Sequence, residues 1–71
     1  MNLYDVVALI EDLPAHNLKR GQVGTIVEEW EPGVYEVEFA TTSGVSYAQV
    51  ALKSSQLMTL YWHPSPSQQS A

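Results

Sequence analysis

The sequence predicts an all-β domain, a small five-stranded barrel with a long first loop and a short 3-10 turn before the last strand. Residues Val34 to Phe39 alternate between apolar and acidic side chains, the period of two that is typical of a half-buried strand. Glu31-Pro32-Gly33, directly before them, has turn composition, because proline pre-sets φ and glycine accepts a positive φ. The stretch from Gly21 to the turn supplies a second strand, so a hairpin is predicted at the centre of the barrel.

The first strand is predicted from Asp5 to Ile10, an apolar run that is too short to stand alone as a helix. The long connection after it, from Glu11 to Gly21, is punctuated by turn formers at Pro14, Asn17 and Gly21. Within this connection, Leu13 and Leu18 are expected to fold back as apolar plugs.

Strand two is expected to start near Val23, with a bulge or a close backbone approach at Gly24. The apolar neighbours Ile26 and Val27 break the alternation there, and a bulge would restore it. The later elements are strands over residues 34–40, 45–52 and 57–62, with the 3-10 turn over residues 53–56. Residues 63–71 contain two prolines and no apolar anchor before the terminus, so a barrel over residues 1–62 and a disordered tail over 63–71 are expected.

Five short strands, a long first loop and a late 3-10 turn are typical of an SH3-like barrel. Closure into a barrel limits the exposed strand edges that invite aggregation. The alternative architecture is an open five-stranded sheet that buries one face in a homodimer, which leaves monomer and homodimer both open.

Composition and charge exclude several classes of function. Eight acidic residues face three basic ones, Lys19, Arg20 and Lys53, giving a formal net charge of −5. Nucleic acid and anionic membrane surfaces are therefore disfavoured, whereas a basic protein partner is allowed. The chain has no cysteine for disulfides or thiolate ligands. It shows neither a membrane-spanning apolar run nor a secretory signal, so a cytoplasmic protein is expected.

The order of motifs resembles a family of small bacterial proteins known only as a domain of unknown function. The resemblance covers Asp5 to Leu60 and is carried by Asp-Leu-Pro…Leu-Lys-Arg-Gly, then Gly-Gln-Val-Gly-Thr-Ile-Val-Glu and Tyr-Glu-Val-Glu-Phe. It implies an SH3-like barrel and no assigned activity. Genes of this kind often neighbour a second small open reading frame, as toxin–antitoxin pairs do, which suggests an antitoxin-like role.

No residue pattern predicts catalysis, a cofactor or a metal site. His16 and His63 lack further ligands, and the serines have no histidine and acid arranged around them. Gly21 and Gly24 are not followed by the helix and the lysine of a phosphate-binding loop. A non-enzymatic protein is therefore expected.

The candidate partner-binding residues are Trp30 and the glutamates of the predicted hairpin, Glu28, Glu29, Glu31, Glu36 and Glu38. Aromatic residues dominate binding hot spots, and Trp30 lies too near the turn to reach a core easily. The alternative is that the glutamates form a solvated face and Trp30 packs over the hairpin tip. Tyr35, Tyr47 and Tyr61 are expected to cap the core.

Three functions follow from these residues. The first is a protein-interaction module, an antitoxin-like inhibitor or accessory protein whose acidic hairpin binds a basic protein. The second is a small structural subunit of a larger complex, similar to the SH3-like subunits of photosynthetic complexes. The third is a nucleic-acid-binding barrel of the KOW type, which the net charge of −5 disfavours.

Overall fold

The computed structural model describes residues 1–40 and 46–60, with the backbone alone described at 46 and 47. These residues form one five-stranded antiparallel sheet in the order β4-β3-β2-β1-β5. The strands are β1 (Val6–Leu9), β2 (Val23–Glu31), β3 (Val34–Ala40), β4 (Ser46–Lys53) and β5 (Leu57–Thr59). A 3-10 turn, Ser54–Gln56, precedes β5. The predicted all-β fold, with five strands and a 3-10 turn before the last of them, is confirmed.

Most predicted boundaries agree with the structure to within one residue. The third strand is the predicted Val34–Ala40, whereas β4 runs one residue further than expected, to Lys53. The last strand ends at Thr59, so the strand predicted over residues 57–62 is too long at Leu60. The predicted continuation through residues 61–62 and the predicted tail over 63–71 lie outside the described residues. Within the described ranges, no helix is both long enough and apolar enough to cross a bilayer.

The first loop is closed by its two leucines. Leu13 and Leu18 exchange backbone hydrogen bonds, with N–H···O distances of 2.9 and 3.1 Å. Leu18 is only 1% exposed and Leu13 packs against the core, so both act as the predicted apolar plugs. Between them lies a second 3-10 turn, Pro14–His16, which the sequence analysis did not predict. Asn17 ends this turn in the left-handed conformation (φ 57°), which asparagine adopts more readily than most residues.

The core lies on one side of the sheet and follows the alternation of its strands. In β3, Tyr35, Val37 and Phe39 are buried as predicted, with Phe39 fully inaccessible to solvent. They pack with side chains from every other strand and from the first loop, namely Val7, Leu9, Leu18, Ile26, Val50, Leu52 and Leu57. The Tyr35 hydroxyl donates a hydrogen bond of 3.4 Å to the backbone oxygen of Met1, which confirms Tyr35 as a core residue.

Three irregularities shape β2, and the sequence predicts the first two. At Gly24, an added Cβ would lie 2.8 Å from the backbone oxygen of Glu38, so the predicted close approach is confirmed. The β2–β3 register shifts between Ile26 and Glu28, which leaves Val27 as the extra residue of the predicted bulge. A second shift, between Glu29 and Glu31, gives β2 another extra residue just before the turn. These shifts decide which side chains of the hairpin share a face.

Candidate functional site

Three of the predicted glutamates lie together on the outer surface of the β2–β3 hairpin. Glu28 lies directly opposite Glu36, and Glu38 lies opposite Thr25 on β2. Residues opposite each other on neighbouring strands share a face, and Val37, between the two glutamates of β3, is fully buried. Glu28, Glu36 and Glu38 therefore project from the side of the sheet away from the core. We term these three residues the acidic face.

Trp30 belongs to the same surface. It is the extra residue at the second register shift, and its side chain is 63% exposed. The indole Nε1 donates a hydrogen bond of 3.0 Å to Oε1 of Glu36. The ring is thus tethered beside a carboxylate while most of its area remains in contact with water. Trp30 is absent from the core, as the sequence predicted.

The other two candidate glutamates lie on different sides of the hairpin. Glu29 lies opposite Tyr35, whose side chain is buried, so the register assigns Glu29 to the opposite side of the hairpin from Glu28. Glu31 lies opposite Val34, which is on the same side of β3 as Glu36, so the register places Glu31 on the side of the acidic face, beside the turn. Both glutamates are exposed. Glu28 and Glu29 are consecutive in one strand and therefore face opposite sides, and the bulge at Val27 determines that Glu28 is the one opposite Glu36.

Neutral groups orient the carboxylates of the acidic face. Gln49 on β4 donates from Nε2 to Oε2 of Glu38 at 3.1 Å, much as Trp30 donates to Glu36. Amide and indole N–H groups carry no formal charge, so these hydrogen bonds hold the side chains without neutralising them. The acidic face keeps its negative charge.

Within the described part of the chain, none of the three basic residues forms an ion pair with the acidic face, although Lys53 lies on the same side of the sheet. Lys19 and Arg20 lie in the first loop, and Lys53 lies at the end of β4 opposite Val34. None of the hydrogen bonds or ion pairs within residues 1–40 and 46–60 connects a lysine or arginine side chain to the acidic face. The molecule therefore has one strongly negative surface.

The surface next to the acidic face is apolar, and the sequence analysis missed it. Val6, Val23, Met58 and Leu60 are each at least 36% exposed. The unbroken apolar run from Val6 to Ile10 could have predicted this surface. A strand with only one buried face would alternate between apolar and polar residues, and this run does not. Tyr4 was missed as well: it is 73% exposed and has a positive φ of 69°.

The described residues contain no group of three or more histidine, cysteine or acidic side chains that could hold a metal ion. No concave pocket is found on this part of the chain. His16 lies in the exposed 3-10 turn of the first loop, whereas His63, Tyr61 and the side chain of Tyr47 lie outside the described set.

A family model places the chain among known sequences. The model of DUF4926, a domain of unknown function, matches residues 3–59. The chain belongs to this family. The DUF4926 match runs from just before β1 to the end of β5, so it includes the acidic face, Trp30 and all of the apolar surface except Leu60. It confirms the resemblance to a family of unknown function and assigns no activity. No curated protein and no solved structure matches the chain.

Proposed function

We propose that this protein is a non-enzymatic interaction module that binds a basic protein through its acidic face. The observation that carries the proposal is the position of Glu28 directly opposite Glu36, with Glu38 on the same surface. Like charges directly opposite on a sheet are destabilising, and no cation within the described residues relieves this pair. A positively charged partner would relieve it.

Trp30 supplies the second part of the proposed interface. An indole that is 63% exposed and tethered to Glu36 offers a large apolar area at little cost in side-chain entropy. In such an interface the glutamates steer association and the tryptophan slows dissociation. An antitoxin-like inhibitor or an accessory protein would use the surface in this way.

The test compares three forms of the chain as bait in extracts of its native cells. The first is the wild type, and the second carries Glu28→Gln, Glu36→Gln and Glu38→Gln. The third is a charge-matched control, Glu11→Gln, Asp12→Asn and Glu29→Gln, which alters the same number of charges away from the acidic face. Glutamine and asparagine keep an acceptor oxygen, so the hydrogen bonds that Glu11 and Asp12 accept are preserved.

A basic protein retained by the wild type and the control, and lost from the neutralised form, is the expected result. Against that protein, Glu36→Lys with Glu38→Lys should slow association, most strongly at low salt. Trp30→Ala should raise the dissociation rate by the equivalent of about 2 kcal/mol or more. Retention of the same proteins by all three forms would rule out the acidic face as a binding surface.

A further inference from the structure

The outer surface of β1 and its two neighbours carries a compact set of apolar side chains. Val6, Val23, Met58 and Leu60 are 42, 48, 52 and 36% exposed. Ala8 lies among them but is only 5% exposed, so the accessible apolar area comes from the other four. We term these five residues the apolar patch.

The strand register places the apolar patch on the side away from the core. Val7 and Leu9 of β1 are buried in the core. Val6 and Ala8 alternate with them along the strand, so they lie on the side of the sheet away from the core. Ala8 lies opposite Val23 on β2 and opposite Met58 on β5. Leu60 lies beside Val6, because its N–H donates a backbone hydrogen bond of 2.8 Å to the oxygen of Val6.

The apolar patch and the acidic face form one continuous surface. One row crosses four strands, from Leu60 to Val6, then to Thr25 and Glu38. Neighbouring strands are about 4.8 Å apart, so Val6 and Glu38 are separated by about 10 Å with only Thr25 between them. One surface is therefore apolar along β5 and β1 and negative along β3.

We propose that this surface binds an amphipathic helix of the partner protein. The apolar stripe of that helix lies on the apolar patch, and a line of lysine or arginine along one edge faces Glu28, Glu36 and Glu38. An α-helix is about 10 Å across, which matches the width from β5 to β2. This inference rests on the proposed function and specifies the kind of partner.

A second copy of the chain fits the surface less well. Each copy carries a net charge of −5 and would bring its own acidic face to the contact. A stable protein interface also buries about 800 Å² on each partner, which is more than five side chains of this size provide. A basic helix supplies opposite charge and can use the apolar patch and the acidic face together.

Tyr4 gives an independent reason to place an interface here. The backbone N–H of Tyr4 donates a hydrogen bond of 2.7 Å to the oxygen of Ile26. Tyr4 therefore lies beside β2, between Thr25 and Glu28. Its φ of 69° is strained for a bulky residue, and glycine or asparagine would adopt it more easily. Its side chain is 73% exposed, so packing within the domain does not account for the tyrosine.

The test uses a synthetic, fluorescently labelled 18-residue peptide that forms a helix with leucines along one face and lysines along one edge. A scrambled peptide of the same composition has the same charge and no apolar stripe. Binding to the full chain is followed by fluorescence anisotropy at several salt concentrations. We expect the amphipathic peptide to bind at least tenfold more tightly than the scrambled one.

Two variants separate the two parts of the surface. Val23→Thr with Met58→Gln should abolish the preference for the amphipathic peptide and leave the salt dependence in place. Glu28→Gln with Glu36→Gln and Glu38→Gln should weaken both peptides and flatten the salt dependence. Circular dichroism and thermal unfolding verify that each variant is folded, and Glu11→Gln with Asp12→Asn and Glu29→Gln is the charge control.

The outcomes distinguish this inference from the proposed function. If only the acidic variant weakens binding, the helix-binding surface is refuted and the acidic interface stands. If neither variant weakens binding, both proposals fail. If the wild type sediments as a dimer that the apolar variant converts to a monomer, a second copy occupies the apolar patch and the inference is overturned.

Discussion

A Cβ added at Gly24 would lie 2.7 Å from Cγ1 of Val37 on the neighbouring strand. Gly24→Ala should therefore overpack the core and lower the free energy of unfolding by about 1–3 kcal/mol. Urea denaturation measures the change. Because part of the clash is with Val37, Gly24→Ala and Val37→Ala should together cost less than the sum of the two single changes. Strict additivity would show that the clash with Val37 is unimportant.

Phe39 is the largest fully buried side chain of the core. Phe39→Ala should cost about 3–5 kcal/mol, the usual range for truncating a buried phenylalanine. In a domain of 71 residues that loss could exhaust the stability, so Phe39→Leu is the measurable companion, with a smaller cost. Cooperative unfolding of Phe39→Ala near the wild-type midpoint would contradict the assigned facing of β3.

Leu18 belongs to the first loop, yet its side chain is packed in the core and is only 1% exposed. Leu18→Ala should cost about 2–5 kcal/mol, as for a leucine in a regular element. Leu13→Ala is the matched control and should cost less, because Leu13 is only partly buried. Equal and small effects at both positions, measured by chemical denaturation, would mean that the first loop is dispensable for stability.

The carboxylates of Glu28 and Glu36 repel each other across the hairpin. Glu28→Gln should therefore stabilise the domain by about 0.2–1 kcal/mol, and the gain should shrink as salt is added. Glu29→Gln removes the same charge from a residue that lies opposite Tyr35, so it should change stability less. Thermal unfolding of the two variants at several salt concentrations measures the repulsion at the acidic face. An equal increase in stability in both variants would show that the effect comes from the lower net charge and not from the contact between Glu28 and Glu36.

Strong local patterns made the fold predictable from the sequence. The alternation from Val34 to Phe39 placed β3 correctly, and Pro32-Gly33 located the turn, where Gly33 has a φ of 85°. Gly24 and the adjacent apolar pair in β2 marked the close approach and the first bulge. Each of these signals depends on neighbours along the chain, which is why a single sequence can reveal it.

The arrangement of the candidate site depended on register and was only partly predictable. Five glutamates were grouped by their nearness in sequence, yet Glu29 alternates to the opposite side from Glu28, and the bulge at Val27 decides which of the two lies opposite Glu36. The hydrogen bond from Trp30 to Glu36 requires the second register shift, for which the sequence has no clear mark. The apolar patch was hidden because an apolar run does not reveal which of its faces is covered.

The position of β1 between β2 and β5 has a consequence for biosynthesis. β1 is synthesised before β2 and can pair with it early, but its other edge waits for Leu57–Thr59, the last strand of the sheet to emerge. Pairings between distant parts of a chain form late and leave strand edges exposed in the meantime. A nascent chain halted before β5 should thus remain incomplete and open to proteolysis.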